Sequence, residues 1–252
     1  MLGKLIKYEF QAGSRYYLPL FILIAIAALF CRLMSSLAPA TLLEFMVSAI
    51  FALLLTAMFV ITFVITIQRF YKNLLGAEGY LMFTLPVSVH SHLLSKLTAA
   101  MVWNCACLLM LVLSVDIAGR EGSLFGDMLR GLPADLSALG DLLLVLLIGL
   151  LSLAAALLFF YLAMAIGQLF GQQRLLASFG AVIVMSIAQQ ILLVAAVAVG
   201  FNLLAFNSLL ANIDPDNIGA LATGGVIAAL LAVCAVYYFL THWLLNKKLN
   251  LQ

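Results

Sequence analysis

The chain has 252 residues, 66% of them hydrophobic and 9% charged, with a formal net charge of +2. Soluble domains carry about 25% charged residues, so composition excludes a water-soluble globule and predicts an integral membrane protein. Long unbroken apolar runs, rather than alternating segments of about ten residues, make it all-α and not a β-barrel.

The N-terminal segment, residues 1–15, reads as an amphipathic interfacial helix. Leu2, Leu5, Ile6 and Phe10 share one face, and Lys4, Lys7, Gln11 and Arg15 the other, an arrangement that lays a helix flat among anionic headgroups. No small-residue cleavage site follows the first apolar run before Arg32, so a cleavable leader is not expected. The first span is predicted over Tyr16–Met34, opening on an interfacial aromatic pair, and the second over Leu42–Ile67, after a turn at Pro39.

Next comes a loop, residues 69–92, with hydrophobic content far too short to cross a bilayer, which takes roughly 20 helical residues. Leu74, Leu75, Tyr80, Leu81, Met82, Phe83 and Leu85 crowd its middle, Gly76 and Gly79 flank Glu78, and Pro86 stops any short helix there. Such an apolar knuckle is either a partner surface or a segment folded back on its own helices and headgroups. Ser88 is an expected N-cap for the third span, Leu93–Val115.

An acidic connection, Asp116–Asp141, carries Leu124, Phe125, Met128, Leu129 and Leu132 at the spacing of a short amphipathic helix. The fourth span is predicted over Leu142–Phe170, and the turn Gly171–Arg174 leads to the fifth, residues 175–200. Apolar character then continues to Ile213. One helix from Leu175 to Ile213 would be ~58 Å long, about twice the hydrocarbon thickness. A break at Gly200 is therefore expected, with residues 201–213 forming re-entrant or outer-leaflet helices. The sixth span is predicted over Ile218–Leu240, followed by a basic tail with an interfacial Trp243.

Orientation follows from basic residues. With six spans, nine of the twelve Lys and Arg fall on the side of the termini and the 69–92 loop, and eight of the ten acidic residues on the other. Both termini and that loop are expected to be cytoplasmic, in a single transmembrane domain.

No nucleotide-binding GxxxxGK[ST] loop, no HExxH and no nucleophile–base–acid constellation occurs, so no catalytic residue and no metal ligand is assigned. Cys31, Cys105, Cys107 and Cys234 read as small apolar packing residues, and His90 and His92 as solvated loop histidines. No charged residue is placed near a span centre, which argues that the energy for any transport comes from outside this chain. Three amides are: Gln189 and Gln190 in span five and Asn104 in span three. All three are candidates for a substrate path: Asn104 is expected either to bond between helices or to face that path, and of the two glutamines one is expected to pack while the other faces a cavity on it.

Taken together, the basic amphipathic N-terminus, the six spans and the stretch Glu78–Ser88, reading EGYLMFTLPVS, resemble the ABC-2 type permeases. These are membrane subunits of bacterial ABC exporters, and the likeness is to small ones encoded apart from their ATPase. The resemblance implies that the knuckle Gly76–Leu85 is a cytoplasmic coupling helix between spans two and three that docks on an ATPase, which favours the partner-surface reading. It implies short re-entrant helices after span five. It also implies two ATPase subunits holding ATP and Mg, a second permease copy or paralogue, and a place in the bacterial cytoplasmic membrane. This chain would then bind no cofactor and no nucleic acid, and would hydrolyse nothing itself. The alternative is a non-transporting membrane scaffold or sensor that recruits a cytoplasmic partner.

Overall fold

The structure is a computed structural model that describes residues 2–37, 41–72, 89–119, 126, 136–170, 173–210 and 215–247. The described residues are helical apart from turns and ends, and nearly all of them fall in six helices: α1 Leu2–Leu37, α2 Leu42–Phe70, α3 Val89–Ala118, α4 Leu136–Gly167, α5 Arg174–Leu210 and α6 Pro215–Lys247. Each contains a stretch long and apolar enough to cross a membrane, the layout of a multi-pass membrane protein. The coupling knuckle, Leu74 to Pro86, the Ser88 cap and the amphipathic segment Leu124–Leu132 lie outside the described residues, save Gly126.

Two compact units are present. The first contains α1, α2 and α3, with α1 packed on both of the others. The buried positions of α1 are Gly13, Tyr17, Ile24, Ala28, Cys31 and Ser35, spaced four, seven, four, three and four apart, which is one stripe of a helix. Ile24 meets Met58 of α2 and Cys107 of α3. One turn further along, Ala28 and Cys31 meet Phe51. Cys31 and Cys107 thus serve as small packing residues. At the far end of α1, Arg32 Nη1 donates to Ile117 O of α3 at 3.4 Å. Helix α2 starts on a threonine N-cap: Thr41 Oγ1 accepts from Glu44 N at 3.4 Å, with Glu44 in the first turn.

The second unit is built on α4 from Val145 onward, α5 and α6. Its core joins Leu162 and Ala165 of α4 to Leu244 of α6, with Met185 of α5 and Tyr237 of α6 against them. Cys234 Sγ lies 3.6 Å from Leu151 O. The apolar stretch of α5, Leu176–Gly200, is left largely uncovered by the rest of the chain.

Several helix limits differ from the sequence expectation. Residues 1–15 do not form a separate interfacial helix: α1 runs unbroken from Leu2 through Pro19 to Leu37, 36 residues. Pro19 removes one backbone bond, but Gly13 and Tyr17 pack on the same α3 surface on either side of the expected break, and this holds the segment in line. The fourth span ends at Gly167, not Phe170, in a tighter turn where Leu169 N bonds Ile166 O at 3.0 Å and Phe170 N bonds Gly167 O at 3.2 Å. Helix α6 begins on Pro215, which suits the first helical position, and continues through Trp243 to Lys247 in place of a free tail.

The largest correction concerns α5, which passes through Gly200 as regular helix to Leu210; no break and no separate short helix occurs over residues 201–210, and 211–213 lie outside the described residues. Glycine lowers helix stability by only about 1 kcal/mol against alanine, and its Ala and Val neighbours are content in a helix; glycine permits a hinge without imposing one. A Cβ at Gly200 meets nothing within 4 Å. Gly200→Ala is therefore expected to stabilise the protein by up to about 1 kcal/mol and to raise its melting temperature in detergent; a clear loss would mean that Gly200 adopts a non-helical backbone.

Candidate functional site

Two places gather polar groups inside otherwise apolar helices. The first is at the end of the first unit where α1 begins. Glu9 of α1 faces Arg69, in the last turn of α2, and Lys96, in the second turn of α3. Its Oε2 accepts from Arg69 Nη2 at 2.6 Å and its Oε1 from Lys96 Nζ at 2.6 Å. Arg69 Nη2 also donates to the Glu9 carbonyl oxygen at 2.8 Å. The three side chains are only 11%, 18% and 4% exposed for Glu9, Arg69 and Lys96. In such a setting the carboxylate is indispensable to both cations, because an unpaired buried charge is far costlier than a pair. The guanidinium also sits where the α2 carbonyls end, on the favourable side of the helix dipole.

Beside the cluster, the backbone of α1 comes close to α3. A Cβ on Gly13 would lie 2.5 Å from Arg69 Nη1 and 2.5 Å from Trp103 Nε1, so only glycine leaves room for both. The Trp103 indole stacks on Tyr17 with centroids 4.6 Å apart and planes at 14°, and Phe10 lies 6.1 Å from the same ring. Thr66 Oγ1 donates to Thr62 O at 2.9 Å, so across its 3.3 Å contact with Tyr17 it accepts the phenol proton. A polar and aromatic seam thus leads from the charges toward the Ile24–Met58–Cys107 core.

Phe10, expected in the headgroup region, faces Trp103 instead, while Lys4, Lys7 and Arg15 stay exposed on α1. His92, expected as a solvated loop residue, is 2% exposed, because α3 starts at Val89 and already turns this position inward.

The second place lies within the second unit. A groove of about 430 Å³ between α4, α5 and α6 is lined by Ser152, Phe159, Phe160, Ser186, Gln189 and Gln190, with alanine and leucine making up the rest. Gln189 Oε1 accepts from Tyr237 OH at 3.2 Å, and Phe159 packs edge-on against Tyr237 at 5.9 Å. The two glutamines chosen from sequence are therefore neighbours on one groove wall; both are exposed, so neither is packed away, and Gln189 is tethered to Tyr237. Asn104, in the first unit, does not bond between helices: its Nδ2 donates to Ala100 O on its own helix at 2.8 Å. The coupling residues Leu74, Leu75, Gly76, Glu78, Gly79, Tyr80, Leu81, Met82, Phe83, Leu85 and Pro86 lie outside the described residues.

The charge cluster was not anticipated. Its signal was a lone acidic residue, Glu9, on a basic amphipathic segment, together with single cations at the end of one span and the start of the next. Replacing Glu9 by Gln removes the carboxylate that these two cations share, and a loss of about 3–5 kcal/mol is expected, read as a lower melting temperature in detergent. Adding Lys96→Met to Glu9→Gln should restore part of that loss, whereas independent losses from the two changes would mean the residues do not interact.

No protein-family model, no curated protein and no solved structure matches this chain.

Proposed function

We infer that this chain is the transmembrane subunit of an ATP-driven exporter of the ABC-2 type, forming half of a substrate path and coupled to a separate ATPase. The observation that carries this reading is the position of the Glu9 cluster. The loop bearing EGYLMFTLPVS lies between the end of α2 at Phe70, next to Arg69, and the start of α3 at Val89, two turns of which reach Lys96, and both Arg69 and Lys96 are held by one carboxylate on α1. A loop that transmits the movement of a docked ATPase needs feet fixed to the helices it drives. A clamp at both feet meets that need, and a loop lying idle on headgroups has no use for it.

In this reading two such chains, or this chain and a paralogue, assemble with two ATPase subunits that carry ATP and Mg. The termini and the loop face the cytoplasm, and the groove beside Gln189 and Gln190 belongs to the substrate path. The complex sits in a bacterial cytoplasmic membrane.

The docking test uses the full chain. Tyr80, Met82 and Phe83 are the large side chains of the loop, and an anchor cut to alanine costs ~1–4 kcal/mol, or roughly 5- to 1000-fold in affinity. With all three replaced by Ala, an ATP-hydrolysing partner that co-purifies with the unaltered chain should be lost or run without stimulation by substrate. Retention with normal stimulation would remove the coupling role, and a co-purifying partner without ATPase activity would favour the scaffold reading.

Orientation is tested separately by thiol labelling of intact cells. A cysteine placed at Asp127 or Asp216 should react with an impermeant reagent, and one at Lys72 or Lys248 should react only after lysis. The reverse pattern would turn the loop outward and exclude ATPase docking.

A further inference from the structure

Among the described residues that line the groove in the second unit none is charged, although it lies beside the midpoint of the apolar stretch Leu176–Gly200. Its polar atoms are hydroxyls and amides from Ser152, Ser186, Gln189 and Gln190, and its apolar walls are led by Phe159 and Phe160. Amides at that depth need partners, since hydrocarbon offers none. Tyr237 engages only the carbonyl oxygen of Gln189, so its amide nitrogen and the whole exposed amide of Gln190 are available to a ligand. Ser152 Oγ donates to Gly149 O of its own helix at 2.8 Å, which leaves its oxygen lone pairs as acceptors toward the groove.

From this we propose that the groove binds an uncharged, membrane-partitioning amphiphile, with a hydroxyl or amide group set against Gln189 and Gln190 and an apolar body against Phe159 and Phe160. The proposal rests on the exporter reading only in making that molecule the transported class; the binding itself stands on the groove. A volume of about 430 Å³ falls within the range of small-molecule sites. At about 30 Å³ per water-sized atom it takes on the order of 15 non-hydrogen atoms, one chain or ring system and not a whole phospholipid. An ionic headgroup would enter without a counter-charge in a low-dielectric setting, so anions and cations are disfavoured alike. The Phe159 and Phe160 rings meet edge to face, centroids 5.3 Å apart at 88°; such a pair offers no cage of converging faces for a cation.

The experiment places the full chain, without any ATPase, in lipid nanodiscs. Three photoreactive probes share a twelve-carbon, diazirine-bearing tail and differ in the head: hydroxyl, trimethylammonium or sulfonate. Labelling is normalised to probe in the bilayer and mapped by mass spectrometry. The hydroxyl probe should label the Ser186–Leu193 segment saturably, at least about tenfold above either charged probe. Gln190→Leu should reduce that labelling about threefold to tenfold, the value of one hydrogen bond to a ligand. Ala156→Phe, which fills the groove and leaves its amides in place, should abolish it; circular dichroism and elution volume check that both variants fold.

Equal labelling by a charged probe, unsaturable labelling spread along the helices, or indifference to both substitutions would overturn the proposal. Saturable labelling in a chain to which no ATPase docks keeps the ligand and removes the exporter reading, whereas ATPase docking with no labelling removes the ligand alone.

Discussion

One carboxylate sets the register of the first unit. Helices in a membrane gain little from hydrophobic contact with one another, because lipid tails are as apolar as leucine. Shape and a few directed polar contacts decide how they align. Glu9 supplies two of the strongest such contacts from a single side chain, one oxygen to α2 and one to α3. With those atoms in place, α1 can neither slide nor rotate by a turn without breaking both ion pairs. Gly13, Tyr17 and Trp103 follow in the next turns as consequences of that alignment: the glycine leaves the space that the indole fills, and the phenol lies flat on the indole.

The second unit shows a different kind of contact. Its polar contacts between helices include two neutral ones, Tyr237 to Gln189 and Cys234 to Leu151, and its core includes leucine and alanine between α4 and α6. Neutral bonds between membrane helices are worth about 0.6 kcal/mol on average. The bond from Tyr237 to Gln189 therefore adds little by itself to the hold of α6 on α5.

Six apolar segments, and the two glutamines that share a groove wall, were legible because length, hydropathy and mid-span amides are local properties of the chain. Helix limits were not. The expected breaks before Tyr16 and at Gly200 rested on composition and on a length that fits the bilayer, and both helices run on because nothing in their backbones forbids it. The buried stripe of α1 was hidden for a different reason. In a soluble helix polarity marks the outer face, but here the outer face is apolar too, and only small or weakly polar residues such as Gly13, Ala28, Cys31 and Ser35 betray the inner one. Asn104 shows the converse limit: an amide that signals a partner from sequence can satisfy itself on its own preceding turn. The Glu9 cluster required knowing which span ends meet, which is a long-range fact.

That long range has a consequence for how the protein is made. Glu9 and Lys96 are separated by 87 residues, and Glu9 and Arg69 by 60. At a synthesis rate of about 5–20 residues per second, roughly 4 to 17 s pass between the emergence of the carboxylate and that of its second cation. During that interval Glu9 lacks its Lys96 partner, so the complete cluster cannot form before α3 has been made. The ion cluster is then a latch that can close only once the third helix of the bundle is present.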